Sequence, residues 1–396
     1  VLAVTAVLAL MTGYIPQAHA TSEFYKPDSD DEIIAELPAD VVALAASVRE
    51  LANETTGPTL REQPHQMRQI IDSYRLASNT NSARAYGHTL ALLQSWPTHT
   101  EPPPMLRLIK ADVLQHNHAF DQAAAELDQL LSIDPGNQFA LQMKSQIHLV
   151  IGDYRLVQSL CEALASYGHR MSAHNCQAQL DGVSGAALPA LTHVDSLLNS
   201  KALSRGEALE LNITAAGLAH RLGEHDRAEL YYTTAFRLSP SNDYVLVNYA
   251  DWLLERDRAV DAASLLVSES GNANKFELQL VYLQALLLSD NQEEATGLLP
   301  EIRNTISIME GRGEERPSKL LARYYLTIAH DFDRAHREAL RNWQIQKEPS
   351  DSWMLARSAV AAERWDSLDQ LLLWYRSTGQ QDYRVDELIA QQGLSE

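Results

Sequence analysis

The sequence predicts an all-α protein built as a solenoid of antiparallel helix pairs, and three observations carry that prediction. Residues 219–244, AHRLGEHDRAELYYTTAFRLSPSNDY, break twice, at Leu222-Gly223-Glu224-His225 and at Ser239-Pro240-Ser241-Asn242. Around the first break small and apolar residues recur three and four apart: Leu209, Asn212, Ala216 and Ala219 before it, Ala228, Tyr232 and Ala235 after it. That spacing places each set on one side of a helix. Strand signals are missing, since no Asn-Gly or Asp-Gly joins two alternating apolar runs and Asp181-Gly182 lies between helical stretches.

The two breaks have different physical roles. Gly223 turns the chain between two helices whose small residues, Ala216 and Ala228, allow close approach, while Tyr232 and Phe236 fill the groove toward the next pair. Pro240 ends the second helix because it has no N–H to donate and its ring clashes with the preceding turn.

Taken in chain order, the pattern extends over most of the 396 residues. Residues 41–97 read as helical pairs without the motif. The unit 104–137 carries Ala111, Phe120, Ala123, Leu127 and Pro135, and 138–171 carries Gly152-Asp153-Tyr154 at its turn. Residues 172–205 are helical without the motif. The best-formed unit, 209–242, is followed by 243–275, with Tyr249-Ala250, Asp257-Arg258-Ala259 and Ala262. Weaker pairs follow at 276–299, turning at Asp290-Asn291, and at 319–349, turning at Asp331-Phe332-Asp333 with Pro349 two residues late. The last pair, 351–376, turns near Glu363-Arg364-Trp365. Roughly seven to nine pairs are expected, since such arrays need at least three units and have atypical ends. The large C-terminal side chains of Trp343, Trp353, Trp365 and Trp374 are expected to cap the last apolar face.

These turn residues, small residues and prolines resemble the tetratricopeptide repeat, a unit of about 34 residues. Almost the whole chain is similar to a group of exported bacterial repeat proteins. Glu23-Phe24-Tyr25 before an acidic helix, the placement of Cys161 and Cys176, and the run Arg341 to Asp351 carry that likeness. The resemblance implies a right-handed superhelical solenoid and a scaffold rather than a reaction. The organisation expected is a signal peptide at 1–20, an N-terminal acidic segment at 21–40, N-terminal repeats at 41–205, central repeats at 206–300, and C-terminal repeats with a cap at 301–396.

Residues 1–20, VLAVTAVLALMTGYIPQAHA, are an apolar run ending in Pro16 and then Ala18 and Ala20, the small residues a signal peptidase needs. The run is about 15 residues, short of the roughly 20 that span a bilayer. Export to the periplasm or beyond is the expectation, with no membrane insertion after cleavage. No Asp, Glu, Lys or Arg lies in that segment, so the formal charge of −20 belongs to the rest of the chain. Nucleic acid is disfavoured as a partner, and a basic protein or peptide is complementary. Cys161 and Cys176 stand on opposite sides of Gly168, where a turn lets them face each other on antiparallel helices, and an oxidising compartment predicts a disulfide.

Signals for catalysis do not appear. His336-Arg337-Glu338-Ala339-Leu340 does not match a zinc-protease His-Glu-x-x-His, and no Gly-x-Ser-x-Gly elbow or Gly-Lys-Ser phosphate loop exists. No enzymatic activity and no cofactor are expected. His116 with His118, and His169 with His174, offer imidazoles to a metal, but helix-end and turn histidines are ordinarily solvated. His220 and His225 read the same way.

In tetratricopeptide solenoids the first helix of each pair lines the concave wall. That implies a partner groove formed by Met105, Leu108 and Asp112, then Phe139, Gln142 and Gln146, then Glu210, Ile213, Gly217 and His220, then Tyr244, Val247 and Asp251. The Lys and Asn combination that clamps a C-terminal carboxylate in some family members is absent from these positions. The expected function is a scaffold holding a protein or peptide in that groove. The alternative is a carrier of a metal or small ligand on the scattered histidines.

Overall fold

The computed structural model describes residues 64–393 apart from 81–82, 98–100, 201–202, 268–274, 290 and 312–316; the expected signal peptide and acidic segment lie outside the described residues. Nine helix pairs and a final helix follow one another, with no strand among the described residues. The pairs are α1 (Pro64–Thr80) with α2 (Ala83–Gln94), α3 (Pro104–His116) with α4 (Phe120–Ile133), and α5 (Gln138–Ile151) with α6 (Tyr154–Ser166). Next come α7 (Arg170–Val183) with α8 (Ala187–Leu198), α9 (Arg205–Arg221) with α10 (His225–Leu238), and α11 (Asp243–Glu255) with α12 (Ala259–Leu266). The last are α13 (Phe276–Leu288) with α14 (Gln292–Glu310), α15 (Ser318–Tyr324) with α16 (Phe332–Ile345), α17 (Pro349–Ala361) with α18 (Trp365–Thr378), and then α19 (Tyr383–Gln391).

Local chemistry sets the helix limits. Asn137 and Asn242 accept at their side chains from the N–H groups of Ala140 and Val245, each at 3.0 Å, and Ser204 and Glu207 form a reciprocal capping box. Pro349, which the repeat frame reads as a late stop, instead occupies the first turn of α17, where its missing N–H costs nothing. Within pairs the chain reverses through one left-handed residue: His118, Gly152, Gly185, Gly223, Asp257, His330 or Glu363.

Helices pack on their neighbours within every pair and between most successive pairs, and α1, α3, α5 and α7 pack each on the first helix of the following pair, so the array stacks in one direction. The closest approaches are made by alanines: Ala111, Ala123, Ala216, Ala228, Ala250, Ala262 and Ala335 are all fully buried. Tyr232 is buried and stacks on Tyr249, centroids 5.5 Å apart, filling the groove between the fifth and sixth pairs. The result is a right-handed superhelical α-solenoid.

Cys161 and Cys176 form a disulfide between α6 and α7, with Cα atoms 5.5 Å apart, across the left-handed turn at Gly168. Closing a loop of this size stabilises the fold by about 3 kcal/mol in the chain-entropy account.

The superhelix curls far enough for its C-terminal pairs to reach its own earlier turns. Gln346 Nε2 meets His118 Nδ1 at 2.5 Å, and the Lys347 N–H donates to Val150 O at 2.6 Å. The Trp374 ring packs on Gly152, Gly379 on Gly185, and the Tyr383 ring on Gly223. The inner turns of four consecutive pairs are thus met in order by residues 346, 374, 379 and 383. Trp343, Trp353 and Trp374 pack on the C-terminal apolar cluster, as expected of a cap, while Trp365 is exposed, and the closure adds a second task. Trp343 and Trp374 stand perpendicular, centroids 6.1 Å apart, with Lys347 over both, and join the end of the array to Tyr154 near its start.

Candidate functional site

The curl borders a half-open cavity of about 490 Å³, walled by first helices of the pairs and by α19. Because successive residues on one side of a helix are four apart, α9 presents Ile213, Gly217, His220 and Arg221, and α11 presents Tyr244, Asn248, Asp251 and Glu255. Across from them α15 presents Lys319 and Arg323, and the π-helical turn Tyr325–Ala329 that follows carries Thr327 to the same wall. Trp353, Met354 and Arg357 come from α17, and Arg384 and Glu387 from α19.

Charge on this wall is mostly matched internally. Arg323 binds both Asp251 oxygens, at 2.7 and 2.6 Å, and Lys319 lies 3.4 Å from Glu348 and 3.3 Å from Asp351. Glu255 is the hub of a second network: it accepts from Arg384 at 3.0 Å, Trp353 Nε1 at 3.0 Å and His220 Nε2 at 2.6 Å, while Tyr232 meets His220 Nδ1 at 3.1 Å. Burial works to raise the Glu255 pKa, but the Arg384 charge and the His220 hydrogen bond outweigh it and hold the carboxyl at about 2.

Of the groove residues expected from the sequence, Gln146, Ile213, Gly217, His220, Tyr244 and Asp251 lie on this wall. The others lie elsewhere. Leu108 and Val247 are buried in the packing between helices, Met105 packs in the N-terminal apolar cluster, and Phe139 against the next one. Gln142 donates to Ser172 at 2.9 Å, and burial raises the Glu210 carboxyl to about 7. Asp112 is buried and accepts from the Tyr74 hydroxyl at 2.9 Å.

The Asp112 geometry has a measurable consequence. Burial raises its carboxyl from 3.8 to about 6 despite the Tyr74 hydrogen bond. A carboxyl that holds its proton more tightly when folded costs stability as pH rises through roughly 4 to 6, and the cost persists above that window. Asp112→Asn keeps an acceptor for Tyr74 and removes the charge, so it is expected to stabilise the protein by about 3 kcal/mol at pH 8 and by almost nothing at pH 3.5. Urea titrations at the two pH values check this; equal effects at both would place the carboxyl in water.

His116 and His220 are less solvated than their positions suggest, whereas His118 and His174 are exposed. His116 stacks on Tyr86, ring centroids 3.7 Å apart, and burial lowers its pKa to about 4. His220 is buried in the Glu255 network. His174 pairs with His193, Nδ1 to Nε2 at 3.1 Å, rather than with His169, which bonds Gly136 O. Among the described residues no group of three or more His, Cys, Asp or Glu is placed to hold a metal ion.

The residues missed from the sequence are the C-terminal ones: Lys319, Arg323, Trp353, Arg357 and Arg384. Their signal was present, because Lys319, Arg323 and Thr327, like Trp353 and Arg357, stand four apart. Nothing local shows that these helices turn that side toward α9 and α11.

Helix pairs of this length, reversing at recurrent left-handed turns and stacking into a right-handed superhelix, define a tetratricopeptide-type solenoid with a walled inner cavity. No protein-family model matches the chain, and no curated protein matches it. Among solved structures it is similar to a tetratricopeptide repeat protein from Parabacteroides merdae, at 12% identity over 74% of this chain and 98% of that one, TM-score 0.35. It is also similar to the Cut9-Hcn1 hetero-tetramer of the APC/C, at 14% identity over 88% of this chain and 66% of that one, TM-score 0.48. Yeast Tom70 matches at 10% identity over 89% and 88% of the two chains, TM-score 0.37.

Proposed function

We propose that the chain is an exported, non-enzymatic scaffold that holds a segment of a protein or peptide partner in the central cavity. One observation carries this reading: first helices of several pairs converge on a cavity of about 490 Å³ whose wall mixes apolar side chains with polar groups already fixed by neighbours. A wall preformed by helix stacking loses little entropy on binding. The Cys161–Cys176 disulfide supports an oxidising compartment, in keeping with the leader-like residues 1–20. No described helix is long and apolar enough to cross a membrane. Of the carboxylates expected to face a basic partner, Asp251 is paired with Arg323 and Asp112 accepts from Tyr74, so neither offers a free charge to the cavity.

Gly217 offers the test. It lies inside α9 on the cavity wall, and a Cβ added there meets nothing within 4 Å. Gly217→Trp fills the cavity from a helical position and relieves the glycine cost, roughly 0.5 kcal/mol. The expected result is an unchanged or slightly raised Tm with loss of peptide capture from a randomised library. Capture that persists in the variant places the site elsewhere. A small molecule released from the purified protein on denaturation, and absent from the Gly217→Trp variant, would favour the carrier alternative.

A further inference from the structure

Two groups on the cavity wall have no partner among the described residues. Arg357, half-buried on α17, makes no ion pair and no hydrogen bond; its guanidinium rests on the Trp353 ring, 5.6 Å from the centroid. The carboxylates nearby are committed, Asp251 to Arg323 and Glu255 to Arg384, His220 and Trp353. On the same wall the buried Gln284 Oε1 accepts nothing. An unmatched half-buried cation and an unmatched buried acceptor are costly to the folded protein unless something supplies their complements.

We propose that the cavity is a carboxylate-reading peptide site, in which Arg357 takes an Asp or Glu side chain of the partner segment while Gln284 accepts from a partner N–H. The inference rests on the cavity being the binding site and adds the chemistry it selects. The protein as a whole carries a formal charge of −20, so its surface repels acidic segments, and this wall is where an acidic group gains. Trp353 holds the guanidinium in place: its own N–H is fixed by Glu255, and Arg384 lies over the same ring at 5.1 Å. Preorganisation of this kind leaves the planar donor face of Arg357 free for a carboxylate. Burial also pushes the Arg357 pKa down, and an arriving carboxylate would reverse that. A peptide segment carries an acid side chain and N–H donors together, so one ligand supplies both complements.

The test selects binders from two randomised heptapeptide libraries on the immobilised full chain, one N-acetylated and C-amidated, the other with a free C-terminal carboxylate. The expected result is enrichment of Asp or Glu at one position of the amidated library. For a resynthesised acidic binder, Arg357→Gln is expected to weaken binding roughly 10- to 100-fold, as is replacing the selected acid by its amide, with little further loss when both are changed. Arg357→Lys should recover part of the affinity and Gln284→Leu should lose part of it. Arg357→Gln should change Tm little, because Glu255, whose ionised form the Arg357 charge also favours, keeps its bonds to Arg384 and His220; a strongly lowered Tm with unchanged peptide preference would assign Arg357 a purely structural role and overturn the proposal. So would selection of neutral or basic peptides that Gly217→Trp abolishes, which leaves the cavity reading standing. Selection confined to the free carboxylate overturns the side-chain assignment. Selection that survives Gly217→Trp, or no selection by the unmodified chain, overturns both readings.

Discussion

Replacing Arg384 by Met is expected to destabilise the protein by about 3–5 kcal/mol, the cost of leaving buried carboxylates without their cation. Arg384 donates twice to Asp382, at 2.8 and 2.6 Å, and once to Glu255, at 3.0 Å, and the Asp382 side chain is fully buried. Methionine fills much of the same volume over Trp353, so the loss reports charge rather than packing. The pH dependence gives an independent readout. The depressed Glu255 carboxyl contributes stability that is present above about 4.5, its unfolded value, and is lost as pH falls through about 2. Without Arg384 that contribution shrinks, so the difference between the two proteins should narrow as the solution is acidified. Urea denaturation at pH 7 and pH 3 measures the gap, and hydrogen exchange over residues 379–391 should show α19 opening before the rest. A loss under about 1 kcal/mol would mean that apolar contacts alone hold the C-terminus in place.

Gly379→Val should cost about 2–5 kcal/mol, from a left-handed backbone that a β-branched residue resists and from a backbone clash. Gly379 has φ +74°, and a Cβ there would stand 3.1 Å from Gly185 Cα and 3.3 Å from Gly185 N. Those atoms belong to another turn and cannot rotate away. Gly168 supplies the control, with φ +87° and nothing within 4 Å of an added Cβ. Gly168→Val therefore carries the conformational cost alone, roughly 1–2 kcal/mol. The excess at Gly379 measures the turn-to-turn contact that closes the superhelix, and equal losses at both positions would show that contact to be dispensable. Opening the contact should also weaken the Arg384 network, so Arg384→Met and Gly379→Val combined should fall short of additive.

The helix pairs, their turns and the disulfide were legible in the sequence because each is decided by neighbours a few residues away. Ala216 and Ala228 meet across one turn, Pro240 stops one helix, and Cys161 faces Cys176 across Gly168. The one-sided spacing on α9 and α11 likewise marks Ile213, His220, Tyr244 and Asp251 as one face. Expectations failed where distant segments decide the surroundings. Solvation was the reasonable reading of His116 at a helix end and His118 in a turn; Tyr86 covers His116, while His118 stays exposed and bonds Gln346. The tryptophans cap the C-terminal cluster as expected, but nothing local shows that Trp374 also meets Gly152.

The sequence by itself therefore determined the repeat: which residues are helical, where pairs reverse, which alanines permit close packing, and which cysteines join. Tertiary structure decided what the repeats enclose. Curvature in a solenoid is the accumulation of small rotations from pair to pair, and no single pair encodes its sum. Only that sum brings Gln346 to His118, Arg384 to Glu255 and Arg323 to Asp251. The same sum leaves Arg357 facing the cavity with no carboxylate of its own, because charge matching on the wall depends on which helices the curl places opposite one another.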